Sequence, residues 1–500
     1  MTDSSTPADA NDDLPEQVRI RRAKYDRLMT DPDRAPFPVT VDRTHTLAQI
    51  RQAYPDLAAG VETGQKVGVT GRVIFVRNTG QLCFATLREG GVELQVMLSA
   101  DRIGTPALAA WKSDIDLGDQ VFVTGEVISS RRGELSVLAD AWRMTAKALR
   151  PLPVAHKPMS EETRVRQRYV DLIVRPEARR MVMVRAQVLA SIRDTLHQRG
   201  FVEVETPILQ SVHGGAAARP FQTHLNAFDQ PMSLRIALEL YLKRAVVGGI
   251  DRVFEIGKTF RNEGIDSTHS AEFTMLEAYE AYGDYKSVAE WTRAIILDAA
   301  NAVGVETPRT ADGVDIDLGT EWRWASIYDL VSAAVDESVT PGSDKCRLQE
   351  LAGSRNVALK PEWGAGEIVL ELYEKLVEHT LIQPTFVCDY PRSVRPLARQ
   401  HRSDPRLAEA WDLVIGGVEL APAYSELADP VEQRRVLVEQ SLAAAAGDPD
   451  AMELDEDFLQ ALEYGMPPSG GMGLGVDRLI AMLTGKGIRE TILFPLLKPL

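Results

Sequence analysis

The chain has 500 residues, 44% hydrophobic and 26% charged, with a formal net charge of −16. That size and balance suit a globular protein of two or three domains with a large core, and no apolar run approaches the ~18 residues that a membrane span needs. The acidic total argues against a nucleic-acid coat protein while leaving room for local basic patches. Three scattered cysteines, Cys83, Cys346 and Cys388, fit neither a disulfide framework nor a paired zinc site and are expected to be reduced. Residues 1–14 are small, acidic and polar, unlike a signal peptide, so a disordered tail and a cytoplasmic protein are expected.

From Pro15 a helix should begin an N-terminal helical segment over residues 15–64. Its stretch RIRRAKYDR carries Arg19, Arg21, Arg22, Lys24 and Arg27, which read either as a contact for a phosphate backbone or as a solvated surface helix. Residues 65–145 then change to short β-like runs separated by Gly-containing turns. Five such strands suggest a small closed barrel, an OB-fold, whose strand face binds oligonucleotides. Arg77 and Phe84 fall in neighbouring strands, with Gln95 and Glu134 nearby in the pattern. An aromatic can stack on an unpaired base while amide, guanidinium and carboxylate read its edges. Taken alone, Phe84 reads first as barrel core.

Residues 146–172, with two prolines in RPLPVAHKP, read as a linker becoming a helix, and residues 173–500 as a large region of helices and antiparallel-type strands. There RAQVLASIRDTLHQRG has helical periodicity ending in Gly200, FVEVETPIL alternates like a strand until Pro207, and SLRIALELYLKRAVVGG reads as a helix. VFEI and EFTMLEAY are strand-like, so an antiparallel pair is expected around a loop crowded with Arg261, Asn262, Glu263 and His269. The period of two places Phe273, Met275, Glu277 and Tyr279 on one face, where a carboxylate among aromatics is a poor structural choice. Near the end, GMPPSGGMGLGVDRLIAMLTG pairs a glycine-rich strand with an apolar helix and lacks the phosphate-loop pattern. Gly471, Gly473 and Gly475 alternate and leave one flat strand face, on which an adenine could lie with the Arg478 guanidinium stacked over it.

In this order and spacing GFVEVETPIL, FRNEGIDSTHSAEF and GMGLGVDRL resemble the three motifs of class II aminoacyl-tRNA synthetases. Within that class GGAAARPFQTH, LELYLKR, YSELADP and LEYGMPPSGGMGLGVDRL resemble lysyl-tRNA synthetases, and PVAHKPMSEETRVRQRYVDLIVRPEARR the bacterial form. The resemblance implies an α+β protein: a five-stranded OB-fold β-barrel that binds the anticodon, joined to a catalytic domain built on an antiparallel sheet flanked by helices. It implies a lysine–tRNA ligase using ATP, L-lysine, tRNA(Lys) and Mg2+, and a homodimer formed through the helix and strand around LHQRGFVEVETP.

It also implies roles for single residues. Arg261 would bridge the lysine carboxylate and the α-phosphate, with Arg478 as the second catalytic cation. Glu263 would accept from the adenine amino group, His269 would meet the outer phosphates, and Phe273 and Arg478 would sandwich the adenine. Glu239 and the Gly215 carbonyl would hold the α-amino group, and Glu277, Glu426 and Tyr279 the ε-ammonium, with Tyr424 along the aliphatic stem. Asp412 and Glu419 would hold the metal, and Arg77, Phe84, Gln95 and Glu134 would read the anticodon. Such a site mainly positions reactants and neutralises charge, and buried carboxylates beside an ammonium are what offset its desolvation.

Departures from the family pattern are local. Asp412 stands where the family usually has Glu, and still supplies hard oxygen. Pro422 stands where the family commonly has an Asn whose amide helps hold the lysine carboxylate, and it donates nothing. Prolines that many relatives carry beside Glu239 and before Glu272 are missing. Strict alternation would also put Glu419 on the opposite face from Pro422, Tyr424 and Glu426, so a bulge is needed if all are to face one pocket. Two other functions are compatible with these motifs: a lysine ligase that modifies a translation factor, against which the barrel counts, and a tRNA-binding regulatory paralogue with a weakened lysine pocket.

Overall fold

The computed structural model describes residues 14–153, 159–264, 269–445 and 454–499. The expected tail therefore lies almost entirely outside the described residues, as do residues 154–158 of the expected linker. The chain divides into two compact units, Met1–Arg179 and Arg180–Leu500.

In the first unit β1 (Glu62–Thr79), β2 (Leu82–Glu89), β3 (Val92–Ser99), β4 (Gln120–Ser129) and β5 (Leu135–Ala146) close into a barrel in the order β1-β2-β3-β5-β4. The two-residue period decides what fills it. Cys83, Ala85 and Leu87 of β2 and Leu94, Val96 and Leu98 of β3 are buried in its core, so the residues between them, Phe84 and Gln95 included, face outward. Phe84 is thus not barrel core, the reading it invites when taken alone. The helix Glu16–Met29 follows Pro15, and Leu28 joins the barrel core. Arg21 donates to the carbonyls of Ala148 and Leu117, both at 2.9 Å. Lys24 and Arg27 pair with Asp116 and Asp114 at 2.7 and 2.6 Å. Three cations of the basic stretch therefore brace this unit instead of facing a phosphate backbone.

The second unit contains β6 (Val202–Glu203), β7 (Leu209–Gln210), β8 (Gln222–Leu225), β9 (Gln230–Leu234), β10 (Arg252–Phe260) and β11 (Glu272–Ala281). It continues with β12 (Arg323–Ser326), β13 (Thr385–Cys388), β14 (Ala410–Ile415), β15 (Val418–Ser425) and β16 (Ser469–Gly475). Eight of these form one sheet in the order β12-β13-β14-β15-β16-β11-β10-β6. Its inner strands run antiparallel, and β6 and β12 add to the edges in parallel. Strands β7, β9 and β8 make a small second sheet.

The helix Pro176–Gln198 buries Val184, Val188, Ile192 and Leu196, a stripe at helical spacing, and Gly200 turns the chain at φ 79°. With the helices Tyr285–Ala302 and Val476–Thr484 it covers one face of the sheet, where Leu276, Ala278, Leu413, Ala421, Ala423, Met472 and Leu474 join a common core. The other face is left for the residues that alternate with these.

Two elements are shorter than their sequence suggests. FVEVETPIL breaks into the pair Val202–Glu203, which joins Val253 and Phe254 at the sheet edge, and Leu209, which starts β7 of the small sheet; between them the Thr206 N–H is taken by the Glu255 carboxylate and Pro207 has no N–H to offer. The helix expected from Ser233 starts at Glu239, because Ser233 and Leu234 are claimed by pairing with Gln222 and Leu209.

Candidate active site

The open face of the sheet is built from alternation. In β11 the residues Phe273, Met275, Glu277 and Tyr279 point away from Leu276 and Ala278, and β16 sets Gly475, Gly473 and Gly471 opposite Met275, Glu277 and Tyr279. A Cβ at Gly471 would sit 2.2 Å from Glu426 Oε1 and 2.4 Å from the Tyr279 ring, so only glycine lets these two groups approach. The result is a cavity of about 420 Å3. Gly215, Glu239, Arg261, Glu263, His269, Phe273, Glu277, Tyr279, Asp412, Glu419, Tyr424, Glu426 and Arg478 all line it.

Strand β15 contributes to both ends of this cavity because it is bulged. Leu413 pairs with Ala421 but Val414 pairs with Glu419, leaving Leu420 extra. Leu420 and Ala421 are consecutive and both packed in the core, so Glu419 is returned to the face that holds Pro422, Tyr424 and Glu426. Pro422 is tolerated in an inner strand because the ladder to β16 begins only at Ala423.

At one end three carboxylates converge. Leu238 donates its N–H to Glu277 Oε1 at 2.9 Å, and the Tyr279 hydroxyl donates to Glu277 Oε2 at 3.1 Å. A proline at Leu238, the residue before Glu239, could not make the first of these bonds. Burial, with Glu239 nearby, raises the Glu277 carboxyl to about 7. Both oxygens of Glu426 are buried and lack a hydrogen-bond partner among the described residues.

A cation sits behind them that sequence reading did not single out. Lys243 is fully buried, and its ammonium lies 2.5 Å from Glu239 Oε1 and 2.6 Å from Glu426 Oε2. The first contact is a hydrogen bond and the second an ion pair. Burial opposes the Lys243 charge, but Glu239 and Glu426 outweigh it and hold the pKa above a lysine's ordinary value. The available signal was the Glu-to-Lys spacing of four residues on one helix face.

At the other end Arg261 lies 5.3 Å over the Phe273 ring and donates to the Ile236 carbonyl at 3.3 Å. Burial lowers its pKa, yet guanidinium remains charged. Arg478 starts the helix after β16, donates to the Glu419 carbonyl at 2.7 Å, and lies 3.4 Å from His269 Nε2. That helix start is anchored by Asp477, which accepts from the Thr274 N–H at 2.7 Å and pairs with Arg185 at 2.5 Å. Glu263 accepts the Arg219 N–H at 3.2 Å.

Asp412 and Glu419 reach the same cavity, but Asp412 Oδ2 accepts from Arg395 and only Oδ1 is left, buried and without a partner. Among the described residues no group of three or more His, Cys, Asp or Glu side chains is placed to hold a metal by itself. Two carboxylates suit Mg2+ when substrate phosphates complete the shell.

In the first unit Arg77 and Phe84 are cross-strand partners on the outside of the barrel. Gln95 pairs with Thr86 and with Ser136, to whose hydroxyl its amide donates at 2.8 Å. Glu134 precedes β5 and pairs with Arg51 at 3.0 Å. The four expected base-reading residues therefore gather along β1, β2, β3 and the start of β5, with the exposed Phe75 beside Thr86 in the same face.

Comparison with known proteins agrees with this geometry. Residues 160–498 match the family described as tRNA synthetases class II (D, K and N), and residues 49–145 match the OB-fold nucleic acid binding domain. The chain is 57% identical over 497 residues to a lysine–tRNA ligase of Mycolicibacterium gilvum, covering 99% of each chain. It is 57% identical over 496 residues to a lysine–tRNA ligase of Kineococcus radiotolerans, again covering 99% of each. It is also 50% identical to the lysylphosphatidylglycerol biosynthesis bifunctional protein LysX of Mycobacterium avium, where 98% of this chain covers 42% of that protein.

Proposed function

The chain belongs to the class II aminoacyl-tRNA synthetases, and we infer that it is a lysine–tRNA ligase that joins L-lysine to the 3′ end of tRNA(Lys) in two steps. In the first, an oxygen of the lysine carboxylate attacks the α-phosphorus of ATP, the bond to the β-phosphate breaks, and lysyl-adenylate and pyrophosphate result. In the second, a hydroxyl of the tRNA terminal ribose attacks the adenylate carbonyl and AMP leaves. No side-chain nucleophile is needed, so the residues position and neutralise.

The observation that carries this reading is that Glu239, Glu277 and Glu426, all buried, converge on the cavity with the Lys243 ammonium shared between Glu239 and Glu426. Three buried carboxylates around one ammonium are costly until further cations reach them. The lysine ε-ammonium fits there, against Glu426, Glu277 and Tyr279, with its stem along Tyr424 and its α-ammonium on Glu239 and the Gly215 carbonyl. Arg261 meets carboxylate and α-phosphate, Glu263 accepts from adenine, Phe273 and Arg478 stack on it, and His269 meets the outer phosphates.

Asp412 Oδ1 and Glu419 would hold Mg2+, which when bound neutralises charge on the ATP phosphates. Residues 65–145 serve as the anticodon-binding domain, after a helical segment over 15–64, and residues 173–500 as the catalytic domain. The closed barrel supports a tRNA substrate over a protein one. The exposed apolar residues Met183, Val202, Ile208 and Leu209 along the helix and strand around β6 support a homodimer. Among the described residues no helix is long and apolar enough to cross a membrane, and a cytoplasmic location goes with the proposed substrates. Pyrophosphate exchange with each standard amino acid, followed by charging of tRNA(Lys), tests the reading: exchange with lysine alone is expected, and its absence would overturn it.

A further inference from the structure

Arg395 lines the same cavity, after the helical turn Arg392–Val394, and no feature of the sequence drew attention to it. Its guanidinium lies 4.1 Å over the Tyr390 ring and donates through Nη2 to Asp412 Oδ2. Its Nε is buried and without a hydrogen-bond partner among the described residues. Guanidinium offers five N–H donors in one plane, and a buried donor left without an acceptor is a standing cost that an anionic oxygen would remove.

Asp412 fixes where that plane lies. It sits directly opposite Pro422 across the β14–β15 ladder, and directly opposed residues of an antiparallel pair project to the same face. Pro422 has no N–H and no polar side chain to offer an anion at that place. The donor available there belongs to Arg395.

We propose that Arg395 is a substrate-binding residue that holds the carboxylate of the bound amino acid. One carboxylate oxygen is left to Arg261 and the attack on phosphorus, and the other is held by Arg395 with Asp412 behind it. The inference rests on the cavity being a lysine site and adds a second guanidinium to it. A guanidinium stays charged in proteins, so Arg395 is cationic whenever lysine arrives.

The test is calorimetric binding to the full-length protein without ATP or added metal, using two ligands: L-lysine, and cadaverine, which is lysine without its carboxylate. Arg395→Met should bind lysine roughly 10- to 100-fold more weakly, the range of a hydrogen bond to a charged group, while cadaverine binds as it does to the parent. Equal loss for both ligands would make Arg395 a purely structural residue, and unchanged lysine binding would place the carboxylate elsewhere; either result overturns the proposal. Because Arg395→Met strands the Asp412 charge, Arg395→Met with Asp412→Asn removes the pair as a unit and must give the same split between ligands. Failure of the parent protein to bind lysine at all would instead overturn the reading of the site.

Discussion

Replacing Glu426 by Gln keeps the side chain's size and removes its charge, and the structure sets how large the effect should be. Glu426 lies 2.6 Å from the Lys243 ammonium, which also holds Glu239 at 2.5 Å. Lys243 therefore keeps an anionic partner in the variant, and the large penalty for an uncompensated buried cation, about 3–5 kcal/mol, does not apply in full. What is lost is the charged contact to the substrate's ε-ammonium, about 1.5–3 kcal/mol. Lysine-dependent pyrophosphate exchange should accordingly show kcat/KM for lysine reduced by roughly 10- to 100-fold. The Michaelis constant for ATP should stay where it is, since Arg261, Phe273 and Arg478 lie at the other end of the cavity. A folded Glu426→Gln protein that uses lysine as well as the parent would refute the assignment, and a matching loss for ATP would show that the whole cavity had rearranged.

The ligand-free pocket should also be sensitive to pH. Burial raises Glu277 to about 7, above the ordinary 4.5 of a glutamate, so between these values the folded protein carries a proton that the unfolded chain does not; that contribution to stability is present at low pH and is lost as pH rises through about 7. Lysine favours the ionised form, so it should bind more tightly and raise the melting temperature more at pH 8 than at pH 6, and should release more protons on binding at pH 6 than at pH 8; calorimetry in buffers of different ionisation enthalpy and thermal melts would read this, and a flat profile would rule it out. Phe84→Ala should weaken tRNA binding by about 1–3 kcal/mol and reduce charging of tRNA(Lys) while leaving pyrophosphate exchange unchanged; equal loss in both assays would remove Phe84 from anticodon reading. Pro422→Asn introduces an amide opposite Asp412 and should restore part of the lysine affinity lost in Arg395→Met; no recovery in a stable double variant would show that the two positions serve different groups.

How far the site could be read from the sequence depended on whether its chemistry lay within one element. The faces of β11 and β16 follow from a period of two, so the sequence alone puts Glu277 and Tyr279 on one face and leaves the alternating glycines flat. The bulge in β15 was required by the demand that Glu419 and Glu426 share a face, and it occurs at Leu420. Lys243 was harder: a lysine four residues after a glutamate on a helix is normally a solvated pair, and its full burial arises because Glu426 arrives from a distant strand. Arg395 was out of reach, because its contact with Asp412 is made by a loop whose path no periodicity describes. The shortened β6 and the late start of the helix at Glu239 have the same origin, since pairing with distant strands overrode local pattern.

The residues missed in this way complete the electrostatics of the pocket. Glu239, Glu277 and Glu426 would place three negative charges around a small cavity, a heavy desolvation cost for a ligand-free protein. Lys243 offsets one of them permanently, and the raised Glu277 carboxyl lets a proton offset another while the site is empty. Burial raises the Glu426 carboxyl too, to about 8, so two negative charges remain only when all three carboxylates are ionised, the state that the two ammonium groups of a bound lysine would favour. An amino acid with an uncharged side chain supplies only one, and leaves a buried carboxylate either uncompensated or protonated. Discrimination against such a ligand would then come from the count of buried charges as well as from the shape of the cavity, and would grow as pH rises and the carboxyls ionise, with Lys243 offsetting one of them throughout.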